Sequence, residues 1–138
     1  MTTQTVTIDT DLMEEMFRLQ SELQAKLGFD FETMTIDEKI EFMRWNALAL
    51  TGELSEAMAE VGWKPWATAR YIDREPFVGE MVDVSKFFLN LLLVVGVTPQ
   101  EFLQRFRGKT VVNHKRHEDG YDGRNKCECG RALDEPVA

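Results

Sequence analysis

Two segments of this chain each set a pair of acids three residues apart: Glu53 and Glu56 in GELSEA, and Glu80 and Asp83 in GEMVDV. On a helix, which turns about 100° per residue, such a pair lies on one face. Glu60 and Asn46 share the Glu53 stripe, and Phe87 and Asn90 continue the Glu80 stripe. The second pair opens the most apolar stretch of the chain, where acids are costly unless paired or bound to metal. Four carboxylates drawn together repel and raise one another's pKa. A hard divalent cation removes that cost, and an oxygen-only set without histidine or cysteine selects Mg²⁺ or Mn²⁺. The competing account of each pair is a solvated helix face.

A second group carries the opposite charge. Lys109, Asn113 and Arg116 stand at i, i+4 and i+7, with His117 adjacent and Gly120-Tyr121 closing the segment. Two cations and an amide on one stripe suit phosphate oxygens. Taken alone, this stripe is equally an exposed face.

Such residues need rigid elements, and almost everything reads at helical period. The first helix is expected over residues 11–27, with Leu12, Met16, Leu19, Leu23 and Leu27 as its buried face, Thr10 as N-cap and Gly28 as the stop. Thr35 and Glu38 make a capping box that starts a second helix running to about Val61. Ile36, Ile40, Met43, Ala47, Leu50, Leu54, Met58 and Val61 form its apolar stripe. The mixed segment GWKPWATARYIDREP reads as an ordered loop. A third helix from Pro76 to Gly96 is apolar on nearly every side in its second half and should be central. Thr98, Pro99 and Glu101 open a fourth, which Gly120 ends. The expected fold is all-α: a four-helix bundle over residues 1–121, followed by a polar, flexible tail over 122–138.

Composition narrows the class. The 138 residues fit one domain, and the net charge of −8 argues against a nucleic-acid polymer as partner. No segment is long and apolar enough for a membrane span, and MTTQTVTIDTDLMEE lacks the basic start and apolar run of a signal peptide, so a cytoplasmic protein is expected.

The ordered set GELSEA with KPW, GEMVDVSKFFLN and KTVVNHKRHEDGY resembles the all-α nucleoside triphosphate pyrophosphohydrolases, in particular the dimeric dUTPase-like group, with MazG-like enzymes as relatives. The resemblance covers about residues 11–121. It implies that Glu53, Glu56, Glu80 and Asp83 ligate Mg²⁺ or Mn²⁺, with Glu53 and Glu56 as the catalytic candidates. It implies that Lys64, Lys109, Asn113, Arg116 and Tyr121 hold the phosphate chain. Trp66, with Trp63 beside it, would pack on the nucleoside, and Gln20 and Asn90 would lie on the side of the sugar and base. The implied reaction takes a nucleoside triphosphate such as dUTP to a monophosphate and pyrophosphate, in a homodimer or larger assembly. Where the group often has a pyrimidine-reading asparagine, this chain has Leu23. A MazG-like preference for dCTP, dGTP or a non-canonical nucleotide is therefore the competing expectation. A non-catalytic helical interaction module is the alternative from another class.

Two smaller features complete the set. His114, His117, Cys127 and Cys129 form a legal Zn²⁺ donor set, although the CxC spacing is tighter than usual. Arg70 and Arg74 could reach phosphates or pair with nearby acids.

Overall fold

A computed structural model describes residues 8–123. The tail beyond 123, with Cys127 and Cys129 and hence the zinc expectation, lies outside the described residues. The fold is all-α as expected, with four helices: α1 Ile8–Lys26, α2 Ile36–Ala59, α3 Arg74–Leu93 and α4 Pro99–Glu118. None of them is long and apolar enough to cross a membrane. The helices fall into two compact units, one holding α1 to α3 and ending at Thr98, the other beginning with α4 at Pro99.

Local chemistry sets the helix ends. The Thr35 hydroxyl accepts from the Glu38 amide while the Glu38 carboxylate accepts from the Thr35 amide, so the capping box starts α2 where expected. Gly28, at φ 91°, turns the chain out of α1, and the Phe29 amide reaches back to the Gln24 carbonyl at 3.0 Å. Gly120, at φ 71°, does the same after α4, with the Tyr121 amide on the Arg116 carbonyl at 2.9 Å. The boundaries of α1 and α3 differ from expectation: α1 begins at Ile8 rather than Asp11, and α3 runs from Arg74 to Leu93 rather than from Pro76 to Gly96.

In the first unit α3 packs along α2 and also meets α1. Phe42 of α2 is buried against Phe29, Phe31 and Trp45, whose rings meet it edge-on at 5.0, 5.2 and 5.9 Å.

The faces that the apolar periodicity nominates for burial are not the buried ones. Leu12, Met16, Leu19, Leu23 and Leu27 stay 39–62% exposed, while Phe17, Gln20 and Gln24 turn inward. On α2 the residues Ile36, Ile40 and Leu54 are likewise exposed, and Phe42, Asn46 and Ala57 are buried. Periodicity reports that a helix has a face to cover; it does not say what covers it. α1 therefore presents its amides to its own chain and its leucines outward.

Candidate metal centre

Glu53 comes from the last third of α2, and Glu80 and Asp83 from the first half of α3. Each offers a carboxylate oxygen, and these oxygens lie within 4.8 Å of one another. Glu53 and Glu80 are half-buried and Asp83 is exposed, so the cluster sits at the edge of the α2–α3 seam with a side open to solvent. Glu53 meets Asp83 here, and Asn46 meets Asn90 further along. The pairing thus descends one helix while it climbs the other, and α2 and α3 run antiparallel.

The electrostatics are those of acids gathered together. The Glu53 carboxyl is held above its ordinary pKa, first by partial burial, then by the neighbouring charges of Glu56 and Asp83 and by a hydrogen bond shared with Glu80. Glu56 acts on Glu53 through space but stays exposed and outside the converging set. Of the four acids named from the sequence, three come together. Oxygen donors alone, on two helices, with solvent access for waters that complete a coordination shell, fit a hard divalent cation such as Mg²⁺ or Mn²⁺.

Along the same seam runs a chain of buried amides. Gln20 Nε2 donates to Asn90 Oδ1 at 2.8 Å, Asn90 Nδ2 to Asn46 Oδ1 at 2.9 Å, and Asn46 Nδ2 to the Phe42 carbonyl at 2.8 Å. All three side chains are buried, with Asn46 at 0% exposure. Gln20 and Asn90, each of which the resemblance puts on the side of the sugar and base, are bonded to each other. The sequence had set Asn46 on the Glu53 stripe without a partner; the link between Asn46 and Asn90 spans 44 positions and has no local signal.

The loop after α2 is closed on itself. The Gly62 amide donates to the Tyr71 carbonyl and the Asp73 amide to the Glu60 carbonyl, both at 2.9 Å. A Cβ on Gly62 would stand 2.7 Å from the Ala69 carbonyl oxygen, so this close approach demands glycine. Arg70 Nη1 donates to the carbonyls of Ala67 at 2.7 Å, Ala69 at 2.8 Å and Lys64 at 3.2 Å, which makes it an internal clamp of the loop. Arg74 pairs with Glu75. Held by this frame, Lys64 is exposed, Trp66 is 74% exposed, and Trp63 meets it edge-on at 5.8 Å.

Within the second unit, Lys109 and Asn113 are exposed on α4 and Arg116 is half-buried. The Arg116 guanidinium carbon lies 5.7 Å from the centre of the Tyr121 ring, and its Nε is buried without a hydrogen-bond partner. His114 and His117 are exposed on the same helix.

A family model described as dUTPase matches residues 12–101, about two thirds of the chain. The match takes in both acid pairs and the intervening loop, and it ends before the Lys109, Asn113 and Arg116 stripe. No curated protein and no solved structure matches.

Proposed function

The chain belongs to the all-alpha dUTPase-like family, and on that premise we propose that it is a divalent-metal-dependent pyrophosphohydrolase converting a deoxynucleoside triphosphate, such as dUTP, to its monophosphate and pyrophosphate. The observation that carries this is the convergence of Glu53, Glu80 and Asp83 from two helices. Together with Glu56 one turn away, they would hold Mg²⁺ or Mn²⁺. Bound there, the cation would polarise phosphoryl oxygens and offset their charge.

The protein's own groups carry the rest. Glu53 orients the water and takes its proton as the oxygen attacks the α-phosphorus. The bond from that phosphorus to the bridging oxygen breaks, and pyrophosphate leaves. Lys64 is assigned to the phosphate chain, where a cation stabilises the departing charge, and Lys109, Asn113, Arg116 and Tyr121 of the second unit are candidates for the same role. Trp66 offers an exposed ring for stacking on the nucleoside, and Gln20 and Asn90 are assigned to the base side. Leu23, in place of a pyrimidine-reading asparagine, lies on the outward face of α1 and is 39% exposed, so dCTP, dGTP and modified nucleotides compete with dUTP as the preferred substrate.

The active form is assigned as a homodimer. The leucine face of α1 supports this, because an apolar stripe left at the surface of a small helical domain is a surface for association.

The test is a panel of deoxynucleoside triphosphates incubated with Mg²⁺ while pyrophosphate is measured. Release is expected with at least one substrate, abolished by EDTA and restored by Mg²⁺ or Mn²⁺. If neither common nor modified triphosphates yield pyrophosphate, the assignment is wrong.

A further inference from the structure

The amide chain has a direction, and one residue sets it. Asn46 faces the Phe42 carbonyl four residues back on α2, and a carbonyl oxygen can only accept. The Asn46 amide must therefore turn its nitrogen to Phe42 and its oxygen to Asn90. Asn90 must answer with its nitrogen, leaving its oxygen for Gln20, and Gln20 must answer with its nitrogen in turn. The orientation of all three amides follows from a backbone oxygen. Asn46 lies seven residues before Glu53, and Asn90 seven after Asp83. On both helices the amides are thus two turns, roughly 10 Å, from the acids and on the same stripe. That separation is comparable to the span of a nucleoside.

We propose that Asn46 is a positioning residue: it touches no substrate, but by fixing the polarity of the Gln20–Asn90 pair it decides which nucleobase edge the pair accepts. This rests on the functional assignment above. Each amide spends one of its two N–H groups within the chain. The remaining N–H groups and lone pairs keep fixed positions only while Asn46 holds the order. Without that anchor, Asn90 and Gln20 can exchange their donor and acceptor ends together, and a base with the opposite pattern is accepted nearly as well.

The experiment compares wild type, Asn46→Leu and Asn46→Asp across the triphosphate panel. In Asn46→Leu, kcat for the best substrate should stay within about threefold. The ratio of kcat/KM between the best and the next substrate should fall by about tenfold, the equivalent of one discriminating hydrogen bond. In Asn46→Asp the ratio should recover as pH falls, because a protonated carboxyl donates to Phe42 and accepts from Asn90 as the amide does. A ratio of two rates on one enzyme cancels pH effects common to both substrates. Asn46→Asp also keeps the test open if Asn46→Leu does not fold. An unchanged ratio in a folded Asn46→Leu, with only a lowered Tm, would show a purely structural amide and overturn the proposal. So would a wild-type enzyme that turns over all bases equally. Failure of the wild type to release pyrophosphate from any triphosphate instead defeats the functional assignment, and this proposal with it.

Discussion

Asn90 donates to Asn46 across the α2–α3 seam at 2.9 Å, two helical turns from the point where Asp83 approaches Glu53. The same pair of antiparallel helices thus carries two polar layers, one anionic and half open to water, the other neutral and buried. A buried neutral layer costs little when every amide has a partner, whereas gathered carboxylates repel one another.

Replacing Glu80 by Gln, or Asp83 by Asn, should lower pyrophosphate release by on the order of 10²–10³-fold, the usual cost of a lost transition-state electrostatic contact. The metal-free fold should keep its Tm or gain slightly, because a repulsion is relieved. Paired activity and melting measurements check this. A variant that keeps near wild-type turnover removes that residue from the centre.

The raised pKa of Glu53 makes the metal-free protein sensitive to pH with a defined sign. The folded state holds the Glu53 proton more tightly than the unfolded chain, whose carboxyl titrates near the ordinary 4.5. This contribution to stability is complete below that value and is lost as pH rises through the higher folded pKa. Melting curves in EDTA should show wild type losing Tm relative to Glu53→Gln as pH climbs through that window. Added Mg²⁺ should close the gap between them at neutral pH by restoring wild type. Parallel curves for the two proteins in EDTA would contradict the origin of the shift.

Gly62→Ala should destabilise the protein by about 1–3 kcal/mol, because the new methyl group meets backbone at Ala69 and Tyr71 rather than a yielding side chain. Arg70→Ala should loosen the same loop by removing the donor shared among its carbonyls. Denaturant midpoints report the first effect, and tryptophan emission from Trp63 and Trp66 reports both. Unchanged emission in both variants would mean that the loop is held by other contacts.

Leu19→Glu, in the middle of the outward stripe of α1, should shift the mass measured by light scattering from that of two chains to that of one. Arg18→Ala, a neighbour paired with Glu15 and Glu22 on the exposed surface, should leave it unchanged. A wild-type protein that is monomeric at high concentration would rule out this face as a homodimer surface.

What the sequence makes legible here is what is local. Thr35 and Glu38 announce the start of α2 because both partners of the capping box lie within one turn, and Gly28 announces the end of α1 because only glycine takes that φ cheaply. The acids are legible as pairs for the same reason, since three residues on a helix define a face. Which acids converge is decided between helices, and so the separation of Glu56 from the other three is not written in the spacing. The leucines of α1 read as its buried face because hydrophobic periodicity does not say what covers an apolar stripe. The clamp role of Arg70 is invisible for a further reason: a guanidinium that serves backbone carbonyls leaves no trace in side-chain pattern.

The inversion of α1 has a practical consequence for anyone who alters this protein. Gln20 and Gln24 on one side, and Leu19 and Leu23 on the other, alternate along a single rigid rod. On the proposed function, ligand preference and self-association would be encoded at neighbouring positions, Gln20 and Leu19, that point about 100° apart around the helix. On that reading, substitutions on α1 would sort by residue number into those that retune one property and those that retune the other.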